Sequence, residues 1–212
     1  MAKAAAQPAV AADFAFYKYL RFFYEQNEAA IRRRYKKLTL KFLDFNDPDN
    51  ATAFLRRPQF EALEIYVFLK EFGNNRHLWQ LFDDWYHEKN GFEGRGRTSI
   101  GAAGQMGLFE ELTADAYKDT FKTLKKFGQL YPNYIYALTM GLGKTVLMAT
   151  SIFYEFLLAN KFPQDPSYCH NALVFAPDKT VLQSLREIQT FDKAKVVPPE
   201  YVNWLNTHLQ FH

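Results

Sequence analysis

Residues 140–145 read Met140-Gly141-Leu142-Gly143-Lys144-Thr145, and the fold class turns on them. A Gly-X-Gly-Lys-Thr turn that opens a helix can wrap the phosphates of a nucleoside triphosphate. Its amides point inward as an anion-binding nest, and the helix N-terminus adds its positive dipole end. In that reading Met140 to Thr145 cradle ATP, Lys144 reaches the β- and γ-phosphates, and the Thr145 hydroxyl is a ligand for Mg²⁺. Gly141 and Gly143 are required because a side chain there would stand between backbone and phosphate. The general pattern has a further glycine where this chain has Leu138. The plain alternative is a Gly-Lys-Thr turn before an ordinary helix.

The flanks favour the phosphate reading. Tyr134-Ile135-Tyr136-Ala137-Leu138 is a short apolar run rich in β-formers and predicts a buried strand. Val146 to Ala159 is apolar almost all round, broken mainly by Glu155, and predicts a buried helix that Asn160 and Pro163 stop. Ala172-Leu173-Val174-Phe175-Ala176 predicts a second strand. Strand, loop, helix and strand form a parallel βαβ unit with a right-handed crossover, so the expected class is α/β.

The 212 residues suffice for one or two domains with a real core. Aromatic residues make up 17%, with 21 Phe and 13 Tyr, which excludes a globally disordered chain. A net charge of +3 neither demands nor excludes a nucleic-acid partner, so local patches decide. Cys169 is the only cysteine, so no intramolecular disulfide can form, which fits a reducing, cytoplasmic setting. Cys169 and His170 are adjacent but make no metal set, and the ten-residue spacing of His77 and His87 near Asp83 and Asp84 favours ordinary histidines. No segment approaches the length of an apolar membrane span, and a soluble protein is expected.

Three regions follow. Residues 1–13 are an Ala-rich tail expected to be disordered, and 14–130 are mainly helical. Within that region 14–42 has helical character without Gly or Pro, 44–50 is a loop, and Pro58 suits the first turn of a helix running to Leu69. Gly73-Asn74-Asn75 breaks that helix, and His77–His87 and Ala114–Phe127 predict two more. Residues 91–107 hold six of the ten glycines and read as a flexible loop, with a second phosphate cradle as the weaker alternative. Arg32-Arg33-Arg34-Tyr35-Lys36-Lys37 is either a phosphate-binding patch or a solvated helix face.

Three segments in order resemble the N-terminal part of superfamily-two helicases and translocases. Arg57-Pro58-Gln59 is similar to the family's Arg-Pro-x-Gln element, and the resemblance assigns Gln59 to the adenine edge, where an amide donates and accepts at once. The spacing alone equally allows a polar residue in a first helical turn. Thr139–Thr145 resembles the family's motif I. Leu173 to Gln183, with Ala176-Pro177-Asp178-Lys179-Thr180 at its centre, resembles motif Ia, whose turn would offer amides and Lys179 to a DNA phosphate. The long aromatic-rich N-terminal region and the Leu-Val-Phe-Ala-Pro-Asp-Lys-Thr phrasing look most like the restriction subunit of type III restriction enzymes and related phage-defence helicases.

The resemblance implies that 131–212 begin a RecA-like P-loop ATPase lobe, here partial. It implies ATP and Mg²⁺ as cofactors and double-stranded DNA as the main partner. A C-terminal lobe of the same polypeptide and a methyltransferase subunit are further implied partners. No Asp-Glu-x-His or Asp-Glu-Ala-Asp tetrapeptide follows Lys144, so the acidic pair that holds Mg²⁺ and orients the attacking water is missing. The leading expectation is therefore an N-terminal fragment of an ATP-dependent DNA helicase or translocase, with weak nucleotide binding and negligible turnover on its own. A non-hydrolysing nucleotide-binding or adaptor module is the alternative, and a small P-loop kinase the third, without signs of an acceptor site or lid.

Overall fold

The computed structural model describes residues 16–93, 113–138, 141–175, 181, 183 and 185–211. They form two compact units that are not successive in sequence: Met1–Ala30 with Arg76–Tyr134, and Ile31–Asn75 with Ile135–His212. The tail at 1–13, most of the Gly-rich stretch, Thr139, Met140 and Ala176–Thr180 lie outside the described residues.

The first unit is built on aromatic rings. Its helices are most of α1 (Phe16–Arg32), α4 (Leu78–Tyr86) and α5 (Ala114–Lys126). On α1, Phe16, Leu20, Phe23 and Tyr24 recur at helical spacing and are buried. Phe16 meets Phe82 of α4 edge-on at 5.1 Å, and Tyr117 of α5 stacks on Tyr86 at 4.1 Å. Thr113 caps α5 by accepting from the Ala116 amide, and Lys125 and Lys126 face the negative end of the helix dipole. Asp83 and Asp84 are engaged in structural contacts. Asp83 accepts from Tyr117 and lies 3.1 Å from His87, while Asp84 pairs with Arg76 and accepts from Asn90.

The second unit contains α2 (Lys37–Asn46), α3 (Arg57–Val67) with a π-helical turn over Phe68–Phe72, α6 (Lys144–Lys161), α7 (Glu187–Thr190) and α8 (Pro199–His208). Phe42, Leu43, Leu63, Val67, Phe68, Phe153, Tyr154, Leu158 and Leu205 form its core. Part of the arginine and lysine cluster is engaged within the second unit. Arg32 pairs with Asp44, the Arg34 guanidinium lies over the Phe72 ring, and Lys36 reaches Asp165 at 2.9 Å. Tyr35 is buried, which leaves Arg33 and Lys37 as the exposed members without such contacts.

The α/β expectation is overturned. Among the described residues there is no strand: 134–138 and 171–175 are extended but enter no ladder. Ile135 is 94% exposed, Leu173 80% and Phe175 81%, so the runs read as buried strands face solvent. A strand exists only by pairing its amides and carbonyls with a neighbour, and β-forming side chains signal a half-buried surface rather than a backbone preference. No described segment supplies that neighbour. The parallel βαβ unit, and with it the partial RecA-like lobe, is absent from the described structure, which is helical. No helix among the described residues is long and apolar enough to cross a membrane.

Two carboxylate networks, around half-buried Glu71 and buried Glu155, tie the second unit together. Glu71 Oε1 accepts from Thr39, from Tyr154 at 3.0 Å and from Tyr168 at 2.8 Å, and Oε2 accepts from the Lys36 amide at 2.8 Å. Burial first, then the Glu71 charge, pushes the Tyr154 and Tyr168 phenols above their ordinary value. Burial and then Glu155 do the same to Tyr66. Phenols in the unfolded chain titrate near 10, so above that pH the folded state retains protons the unfolded state has lost. This contribution is full below about pH 10 and falls by about 1.4 kcal/mol per pH unit for each retained proton as the pH rises. Phenolate absorbance at 295 nm and helical circular dichroism should therefore break together in an alkaline titration. Smooth ionisation of all tyrosines with helicity intact would show these phenols to be accessible.

Candidate phosphate-binding helix terminus

The second unit brings Gln59 to the start of α6. Pro58 sits in the first turn of α3, where its missing N–H costs nothing, and Gln59 follows at the third position. Its Oε1 accepts from the Arg56 amide at 2.8 Å, and its Nε2 donates to the Gly143 carbonyl at 3.2 Å, 84 residues along the chain. Gln59 is 5% exposed. Its amide thus caps α3 with one end and fixes the 141–143 loop with the other, and each end retains one further hydrogen-bonding position.

Gly141 and Gly143 both have left-handed backbones, at φ 78° and 67°. Gly143 is the N-cap of α6, and no side chain caps this terminus. The first amides of a helix have no intrahelical partner, so the N–H groups of Thr145 and Val146 stand at a positive dipole end. Around Gly141 the space is open: apart from its chain neighbours, no atom of the described residues lies within 4 Å of where a Cβ would stand. Lys144 is exposed at the first helical position, and Thr145 is half-buried beside it. This donor set fits a phosphate chain: amides, an ammonium and a hydroxyl around open space. For Mg²⁺ it offers only the Thr145 hydroxyl, consistent with an ion held mainly by phosphates and water.

Gln59, Gly141, Leu142, Gly143, Lys144 and Thr145 are therefore brought to one end of α6. Met140, Pro177, Asp178, Lys179 and Thr180 lie outside the described residues. Beside Lys144 a cleft of about 340 Å³ runs along α6, bounded by Tyr66, Tyr136, Leu138, Met148 and Ser151. Neither tyrosine was legible as a site residue. Tyr136 falls inside a run whose alternation suggests a strand, and Tyr66 reaches the cleft only because α3 packs on α6. No group of three or more His, Cys, Asp or Glu residues able to hold a metal occurs among the described residues. Comparisons with protein families, curated proteins and solved structures find no match to this chain.

Proposed function

We propose that this chain binds Mg-ATP at the N-terminus of α6 and serves a DNA-dependent ATPase, a helicase or translocase of a type III restriction or related phage-defence system, acting in the cytoplasm. One observation carries the nucleotide half of that reading: Gln59 Nε2 holds the Gly143 carbonyl, so two elements far apart in sequence meet at an uncapped helix terminus with left-handed glycines. Lys144 neutralises phosphate charge, the loop amides orient the chain of phosphates, and Thr145 contributes one oxygen to Mg²⁺. The DNA half rests on the helicase resemblance, with Pro177–Thr180 as the segment that would meet the strand and a methyltransferase subunit as a further partner.

The non-hydrolysing alternative gains support from where the carboxylates lie. Glu155 is held by Tyr66, Lys70 and the Cys169 amide, Asp165 by Lys36, and Glu200 by Lys41. These three are committed to structural partners, which supports binding with negligible turnover.

Lys144→Ala should weaken ATP binding by at least about tenfold, because a charge-assisted contact contributes about 1.5–3 kcal/mol. Lys144 is exposed at a helix start, so the thermal midpoint should not move. Calorimetric titration with Mg-ATP tests this, and unchanged affinity removes the phosphate assignment. An ATPase assay with and without duplex DNA separates motor from adaptor.

A further inference from the structure

The cleft along α6 begins at Lys144 and ends at Ser151, seven residues later, so it runs about 10 Å from the phosphate end of the helix. That is the direction and reach of a ribose and base leaving a triphosphate anchored at the helix terminus. The cleft is apolar and aromatic. The Tyr66 and Tyr136 rings lie 6.2 Å apart and nearly perpendicular, at 68°, and Met148 is 37% exposed on α6. Tyr66 is fixed by donating its hydroxyl to Glu155 at 2.5 Å, whereas Tyr136 is 36% exposed and offers surface to an incoming ring. Gln59, to which the helicase resemblance gives the base, is instead buried between the Arg56 amide and the Gly143 carbonyl.

We propose that the nucleobase of a bound nucleoside triphosphate lies in this cleft, stacked against Tyr136 and packed on Met148, and is recognised as a planar aromatic ring rather than by its hydrogen-bonding edge. The proposal rests on the phosphate reading of α6, because it places the base relative to Lys144. Among the described lining residues, Ser151 is the one neutral hydroxyl on α6, and it already donates to the Leu147 carbonyl at 3.0 Å. Among the described residues, no amide or carboxylate side chain lines the cleft to read an adenine or guanine edge. Stacking tolerates any base but rewards ring area, so purines should bind better than pyrimidines, and ATP and GTP alike.

Calorimetric titration of the whole chain with Mg-ATP, Mg-GTP and inorganic Mg-tripolyphosphate tests both layers. The wild type should bind ATP and GTP with similar affinity, and both more tightly than tripolyphosphate. Tyr136→Ala should weaken ATP and GTP by about tenfold and leave tripolyphosphate unchanged, while Tyr136→Phe keeps wild-type affinity. Lys144→Ala should weaken all three. Full ATP affinity in Tyr136→Ala, or a marked preference for ATP over GTP, overturns the base site while the phosphate site stands. If tripolyphosphate fails to bind, or ignores Lys144→Ala, the phosphate reading falls and this inference with it.

Discussion

Glu155→Ala should destabilise the second unit by about 3–5 kcal/mol, the cost of breaking a buried ion pair from one side. Glu155 is 8% exposed and its partner Lys70 6%, with Lys70 Nζ 3.2 Å from Glu155 Oε1. The same carboxylate accepts from the Tyr66 hydroxyl at 2.5 Å and from the Cys169 amide at 3.0 Å. Truncation therefore strands an ammonium and two donors at once. The Tyr168 ring, 5.6 Å from Lys70 Nζ, offsets only a small part of that loss. Two controls apportion the effect. Glu155→Gln keeps an acceptor and loses the charge, so it should fall between wild type and Ala. Pairing Glu155→Leu with Lys70→Met removes both charges and should recover most of the stability. Urea unfolding followed by circular dichroism reads all four proteins. A loss below about 1 kcal/mol for Glu155→Ala would mean that Lys70 finds water, and the pair would then belong with exposed ion pairs of little worth.

Such a network was not legible in the sequence, because Lys70 and Glu155 meet only through the packing of α3 and its π-helical turn on α6. The helices themselves were legible where the chain punctuates them. Pro58 opens α3, Gly73 ends its extension, Gly143 opens α6, and Asn160 with Pro163 ends it. The break between α1 and α2 was not. Residues 33–36 contain no Gly or Pro, yet Lys36 adopts an extended backbone at φ −62°, ψ 147°. Tertiary contacts fix it there: its amide donates to Glu71 and its ammonium meets Asp165. The opposite failure occurred at Ile135 and Leu173, whose apolar, β-forming neighbourhoods suggest strands. Periodicity reports what a segment would bury, and strand formation further requires an edge to pair with. The phosphate loop could be read because its chemistry is local, confined to a handful of consecutive residues. Gln59 was legible only through its likeness to a known element, and its contact with Gly143 emerged from the fold.

Gly143→Ala should be the most damaging single change to nucleotide binding after the loss of Lys144 itself, and for a different reason. The residue sits at φ 67°, ψ 49°, a left-handed conformation that costs an alanine about 1–2 kcal/mol. The new Cβ would also lie 2.6 Å from Gln59 Nε2, closer than any real contact allows. Gln59 cannot simply swing aside, because its Oε1 is the acceptor for the Arg56 amide at the start of α3. Either the α3 cap is lost, typically about 1 kcal/mol, or the 141–143 loop moves. A total near 2–3 kcal/mol is expected, visible as a lower thermal midpoint together with weaker Mg-ATP binding. Gln59→Ala separates the two causes. Alone it should cost about 1 kcal/mol for the lost cap, and combined with Gly143→Ala it removes the clash, so that only the backbone strain is added to the cap already lost. The double variant should therefore be less destabilised than the sum of the single ones. Strict additivity would mean that Gln59 and Gly143 do not touch in solution, and the observation on which the phosphate site rests would be gone.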